Sequence, residues 1–500
     1  MSSSEFHHPK RSRMYSGSTR NAALSLCDCE RSVDVHSIAS YAILSNMWYL
    51  WFMRMTYSAA CRMKQILLFC LFSLCHFVTA AEERSKQPNI IFIFADDWGW
   101  GDLSLHGSTF CKTPNLDSLA KTGTDFHGFS VASGVCSPSR AAIMTGHYPA
   151  RYGIHQHFAT LKHHLKTDMP DWLPPDGVML PRLLKQAGYV TAHFGKWHLT
   201  NIEIKDAPLP ADYGYDESCV FNGPGPQVNA NPNVDKPLET DMAIDFIQRH
   251  KNKPLFINLW IHSTHLPHYP TERWMEKFKE LDEKKRVYAA VVAEADERIG
   301  AVLKKLDEIG IADNTLVIFS SDNGPEDTGS DKTKGDASTG DGLANYYSVG
   351  TTGGLRGRKR SLFNGGVGVP FLARWPGMIP EGRTDTSSVL TGVDILPTLC
   401  AIAGAKLPPD YTPDGVNILP ALRGEKFDRE KMIFTEWRPG GKDVNWPQLG
   451  VRDGKWTLLM KLDGSRVELF DTSIDRSQRR DHSHPIGYAW RATSLELAMI

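Results

Sequence analysis

The run Cys136-Ser137-Pro138-Ser139-Arg140 sets a thiol, a helix-compatible turn and a permanent cation side by side, a combination able to pair a nucleophile with an anion-binding group. It continues through Ala141-Ala142-Ile143-Met144-Thr145-Gly146, and Pro138 suits the first turn of a helix that Gly146 can close. Cys136 then stands at a helix N-terminus. Free backbone N–H groups and the positive end of the helix dipole favour an anion at that place. Taken alone, the cysteine is as readily a small buried thiol.

Two further pairs offer metal chemistry. Asp96-Asp97 and Asp322-Asn323 are hard oxygen donors, the set that suits Ca²⁺ or Mg²⁺ rather than zinc. Three carboxylates neutralise a divalent ion and leave surplus negative charge for nearby cations to balance. Such pairs also serve as turn residues held by Asx bonds, so their place in the fold has to decide between the two uses.

The elements that must position these residues read as alternating strands and helices. Asn89-Ile90-Ile91-Phe92-Ile93-Phe94 is a continuous β-branched and aromatic run, as in a strand buried on both faces. Further strands are expected at Tyr189–Phe194, Leu255–Ile261, Thr315–Ser320 and Val369–Trp375. Helices are expected at Leu116–Lys121, Leu180–Gln186, Thr240–His250 and Lys284–Ile309, the last with Val291, Ala295, Ile299, Val302, Leu303 and Leu306 on one stripe. This is α/β order. Asp96-Asp97, Lys196 with His198, His265, and Asp322-Asn323 each follow one of these strands at its C-terminal end, where open α/β sheets place their ligands.

Cys136, Pro138 and Arg140 match the C-x-P-x-R signature of the type I, formylglycine-dependent sulfatases, and Thr145-Gly146-His147-Tyr148-Pro149-Ala150-Arg151-Tyr152-Gly153 matches its T-G-x-x-P-x-R-x-G tail. The resemblance runs from about Gln87 to Asp471. In motif it is nearest to the arylsulfatase A and N-acetylgalactosamine-6-sulfatase branch. It implies an alkaline-phosphatase-like α/β fold, a large mostly parallel sheet between helices with a smaller C-terminal antiparallel subdomain. It also implies conversion of Cys136 to formylglycine (3-oxoalanine) by a formylglycine-generating enzyme, and a Ca²⁺ held by Asp96, Asp97, residue 136, Asp322 and Asn323, Mg²⁺ being the alternative.

By the same resemblance Arg140, Lys196, His198, His265 and Lys359 surround the sulfate and move its protons. Gly195-Lys196-Trp197-His198 matches directly, whereas His265-Leu266-Pro267 has Thr264 where the family has proline, and His262 and His268 compete with His265. Lys359 fits the L-R-x-x-K frame Leu355-Arg356-Gly357-Arg358-Lys359, with Arg356 a candidate to share its work. The implied reaction is hydrolysis of sulfate monoesters, on sulfated carbohydrate or aryl sulfate. The alternatives are a phosphomonoester or phosphonate hydrolase of the same superfamily, and a secreted glycan-binding pseudo-sulfatase whose cysteine is never converted.

Composition is that of an ordinary globular chain: 500 residues, 41% hydrophobic, formal net charge −1, with no global pull toward nucleic acid. Met63-Lys64-Gln65, the apolar run Ile66 to Val78 and Val78-Thr79-Ala80 have the layout of a secretory signal cleaved after Ala80. Residues 63–80 are therefore expected to be a signal peptide that leaves no membrane span, and residues 1–62 an untranslated or disordered extension. The product is then expected to be exported, with residues 87–424 as the catalytic region and 425–500 as the small subdomain, whose pattern degrades after His484. The stretch Asp327 to Tyr347 reads as a solvated loop at the site mouth. A Cys111–Cys219 bridge is permitted but not required.

Overall fold

The computed structural model describes residues 87–228, 238–326, 348–439 and 447–483. The expected extension, signal peptide, Asp327–Tyr347 loop and degraded tail lie outside them.

Strand β1 (Asn89–Ala95) shows how the core is organised, because its side chains alternate between two apolar layers. Ile90, Phe92 and Phe94 enter one layer, and Ile91, Ile93 and Ala95 the other. A strand buried on both faces reads as an unbroken apolar run, as this one does. Along the chain follow β2 (Thr124–Phe126), β3 (Phe129–Ser130), β4 (Val190–Lys196), β5 (Glu217–Phe221), β6 (Leu255–Trp260), β7 (Thr315–Ser321), β8 (Phe371–Arg374), β9 (Arg383–Asp385) and β10 (Leu390–Thr391). Eight of them form one sheet in the order β5-β4-β6-β1-β7-β8-β2-β9. Every pairing in it is parallel except those of β8, which runs against β7 and β2. Helices Pro114–Lys121, Glu239–His250 and Glu283–Glu308 supply the layer on one face, and Cys136–Thr145, Leu180–Gln186 and Ile395–Ala403 that on the other.

Beyond Gly424 come β11 (Ile433–Glu436), β12 (Leu449–Asp453), β13 (Trp456–Met460) and β14 (Glu468–Asp471), an antiparallel sheet in sequential order. Period-two alternation docks it: Leu459 and Phe470 join the large core, while Leu458 and Leu469 pack on the sheet's other face. The α/β architecture with a small antiparallel appendage is thus as expected. Cys111 and Cys219 are both free thiols, so the permitted bridge is not formed.

Candidate active site

The C-terminal ends of β1, β4, β6 and β7 deliver the polar groups to one place, and the helix Cys136–Thr145 points its first turn at them. That helix is capped by Val135 and closed by Gly146 at φ 64°. Pro138 stands in its first turn, where a missing N–H costs no helical bond. Cys136 is 2% exposed. Burial pushes its thiol far above the ordinary range, the positive charge of Lys196 opposing only in part, so as a plain thiol it is a poor nucleophile.

Around Cys136 Sγ the charges are dense. Lys196 Nζ lies 3.6 Å from it and donates to Asp96 Oδ2 at 2.6 Å. Asp96 Oδ1 is 3.6 Å from the sulfur and 3.5 Å from Arg140 Nη2. Gly195 makes this approach feasible: its φ is 103°, and a Cβ there would stand 2.1 Å from the Trp260 carbonyl oxygen of the neighbouring strand. Arg140 donates to Asp322 and packs its guanidinium over Trp260 at 4.9 Å.

Asp97 is held in the left-handed region at φ 62°, a strained conformation for a non-glycine residue. Its N–H donates to Asp322 Oδ1, Asn323 Nδ2 donates to its Oδ1 at 2.7 Å, and Lys359 Nζ donates to its Oδ2 at 2.6 Å. Burial raises the Asp97 carboxyl to about 7 against the pull of Lys359. For Asp96, burial is overcome by His265, Lys196 and His262, which hold it well below the usual carboxylate range.

The donor set fits a hard divalent cation. Ligand atoms of Asp96, Asp97, Cys136 and His265 all lie within 4.8 Å of one another, and Asn323 Oδ1 is buried with no hydrogen-bond partner among the described residues. Carboxylate and carbonyl oxygens together are what Ca²⁺ and Mg²⁺ prefer.

His198 also has positive φ, 51°. Its Nε2 is 2.9 Å from the Phe158 carbonyl, which can only accept, so Nε2 carries the hydrogen and Nδ1 keeps its lone pair. Burial, reinforced by Lys196, holds the ring neutral. His265 donates from Nδ1 to the Leu266 carbonyl and places Nε2 3.7 Å from Asp97 Oδ2. Burial likewise keeps it well below its usual range.

All ten residues singled out from the sequence therefore come together. The structure also adds members. His262 donates from Nδ1 to Asp96 Oδ2, so it shares the centre with His265. His157, Asn201, Phe221 and Arg360 line the cavity of about 460 Å³ above Cys136. Sequence offered no signal for His157, Asn201 and Phe221, which lie in no distinctive motif, whereas Arg360 closes the basic run that carries Lys359. Arg356 is placed elsewhere: it bonds Glu468 and the Gln478 carbonyl and stacks on Phe363 at 3.8 Å, and so does not share the work of Lys359. His268 lies buried against the Tyr288 ring.

Comparison with known proteins shows the family of the chain. Residues 88–405 match the family described as "Sulfatase", and residues 357–487 match "N-sulphoglucosamine sulphohydrolase, C-terminal". Human N-acetylgalactosamine-6-sulfatase is 32% identical over 388 residues, covering 70% of this chain and 68% of the relative. Bovine arylsulfatase A is 31% identical over 434 residues, 79% of each. Among solved structures, Ps i-CgsB in complex with k-i-k-neocarrahexaose aligns with a TM-score of 0.68 at 27% identity, covering 83% of this chain and 92% of that one. With the family match spanning more than half of its length, this chain belongs to the sulfatases, hydrolases of sulfuric esters.

Proposed function

We propose that the protein removes sulfate from sulfated carbohydrate in an exported compartment, using a formylglycine made from Cys136 by a formylglycine-generating enzyme. The observation that carries this reading is the position of Cys136: a buried, unactivated sulfur at the floor of a large cavity, flanked by Lys196 and Asp96. Its Sγ stands where the modified residue's oxygens would be.

Hydrated formylglycine supplies two geminal hydroxyls, one to attack sulfur and a second through which sulfate is released. Asp96, Asp97, residue 136, Asp322 and Asn323 would hold a Ca²⁺, which when bound would supply Lewis-acid polarisation to the sulfate oxygens. Arg140 and Lys196 provide permanent positive charge where negative charge develops on those oxygens. Asp322 is the candidate to take the proton of the attacking hydroxyl. The leaving alcohol oxygen takes a proton from Lys359, which Asp97 and its neighbours keep charged despite burial, or from His265 once an anionic substrate raises its affinity for a proton. His198, with Nδ1 unprotonated, is suited to take the proton of the second hydroxyl as sulfate departs.

The choice of a carbohydrate rests on the cavity size and on the relatives, among them one solved with a neocarrahexaose and others named for an amino-sugar sulfate. Among the described residues no helix is long and apolar enough to cross a membrane. The test is sulfate release from a panel of carbohydrate and aryl sulfates by protein co-expressed with a formylglycine-generating enzyme, with phosphate and phosphonate esters as the rival panel. Sulfate release from carbohydrate members supports the reading. Turnover of phosphate or phosphonate esters alone, with residue 136 shown by mass spectrometry to be converted, rejects it.

A further inference from the structure

A second cluster of ligand-type side chains lies outside the cavity. His106, Asp125 and His127 bring three donor atoms within 4.8 Å of one another. Asp125 is in β2 and 4% exposed, His127 follows that strand directly, and His106 ends the short 3₁₀ turn Ser104–His106. Both imidazoles aim Nε2 at the same carboxylate oxygen, Asp125 Oδ2, at 2.9 and 3.0 Å. The other oxygen, Oδ1, is buried with no hydrogen-bond partner among the described residues.

The other ring nitrogen of His106 fixes its tautomer. Nδ1 lies 2.7 Å from the Trp100 carbonyl oxygen, which can only accept, so Nδ1 carries the hydrogen. A neutral ring so oriented would direct the Nε2 lone pair at a carboxylate oxygen, two acceptors face to face. A cation between them removes the conflict, and a carbonyl on the far nitrogen is the usual outer partner of a metal-bound imidazole. The ring is also pre-oriented, stacked on Trp100 at 3.9 Å and 9°. The Arg476 guanidinium sits 4.2 Å from that same indole. Its charge also reaches Asp125.

We propose that His106, Asp125 and His127 bind a zinc ion, separate from the divalent-cation centre of the cavity. Two imidazoles and a carboxylate form the three-ligand set that zinc completes with water, whereas the cavity's hard oxygens favour calcium. Tetrahedral bonds of about 2.0–2.1 Å set donor atoms roughly 3.3 Å apart, close to the spacing of both His–Asp pairs here. The ion pins the turn after the Asp96–Asp102 segment to β2, a structural role next to the site.

The full-length protein, saturated with Ca²⁺ to hold the cavity carboxylates, is titrated with ZnCl2, and bound metal is counted by mass spectrometry. One zinc per chain is expected. His127→Ala and the milder His127→Gln, at the most exposed of the three positions, should each weaken zinc binding by more than about 100-fold, beyond the loss of an outer partner, and leave sulfate release unchanged. Co²⁺ in the wild type should give the visible bands of tetrahedral coordination, absent in both variants. Zinc held equally well by either folded variant overturns the proposal, because the ion is then elsewhere. Failure of the wild type to retain zinc also overturns it and leaves a proton as the cation between the groups.

Discussion

Arg140 donates from Nε at 3.1 Å and from Nη2 at 2.5 Å to a single oxygen of Asp322, and neither side chain has any solvent exposure. Removing one partner of such a pair leaves the other charge buried and uncompensated, which costs about 3–5 kcal/mol. Arg140→Ala should therefore unfold at a lower denaturant concentration by that amount, and adding Asp322→Asn should recover part of the loss. Lysine should not substitute, because it lacks the planar fork that reaches one oxygen twice. An Arg140→Ala midpoint equal to wild type would show that the pair is not what anchors the first helical turn beneath the cavity.

Cys136→Ser tests the nucleophile. Serine keeps a hydroxyl but has no second oxygen through which sulfate can leave. Sulfate release should fall by at least roughly 10³-fold, as when a nucleophile is deleted elsewhere. Thermal unfolding should shift by only a few degrees, since the volume change is small. Wild-type turnover by Cys136→Ser would remove residue 136 from the reaction.

Metal binding should be proton-linked. In the metal-free protein burial lifts the Asp97 carboxyl to about 7, while Asp96 is held far lower and is ionised throughout. Below pH 7 Asp97 must lose a proton before it can ligate, so apparent Ca²⁺ affinity should drop about tenfold per pH unit there and level off above it. Calorimetry in buffers of different ionisation enthalpy reads the released proton directly. An affinity independent of pH between 5.5 and 7 contradicts the assignment of Asp97 as a ligand.

What the sequence revealed and what it hid divide along physical lines. The four strands that deliver the site were readable because a parallel strand buried on both faces must be apolar throughout, as Asn89–Ala95 and Leu255–Trp260 are. β2, β3, β9 and β10 escaped because runs of two or three residues carry no periodicity. β5 escaped for another reason, its edge position leaving Glu217 and Ser218 half-buried and polar. The acidic pairs were legible as hard donors at strand ends. His262 and His265 were not separable, since both follow β6 and both reach the centre. Nor could the sequence sort Arg356 from Lys359, as charge alone does not say which side chain turns inward.

That sorting yields a prediction at Arg356. Its bonds to Glu468 and the Gln478 carbonyl, together with its stack on Phe363, tie the loop bearing Lys359 to the small antiparallel sheet. Arg356→Ala should destabilise the protein by about 1 kcal/mol, a modest figure because the pair is partly solvated. kcat should stay near wild type, which a direct share in catalysis would not permit. Denaturant unfolding and steady-state kinetics on the same preparation separate the two.

Arg360 is adjacent to Lys359 but differs in exposure. Its side chain is 47% exposed at the cavity wall and pairs with Glu326, whereas Lys359 is 5% exposed and donates to Asp97. A cation at the wall attracts a polyanion before reaction and gains nothing more as the bond breaks, so it acts on binding uniformly. Arg360→Ala should raise KM for a sulfated oligosaccharide about 3–10-fold with kcat little changed, and less for a small aryl sulfate that carries a single charge. Added salt should shrink the difference between wild type and variant, because exposed charges are screened. Lys359→Ala should instead lower kcat. If Arg360→Ala lowers kcat with KM untouched, the guanidinium contacts the reacting sulfate itself and belongs with Arg140 and Lys196.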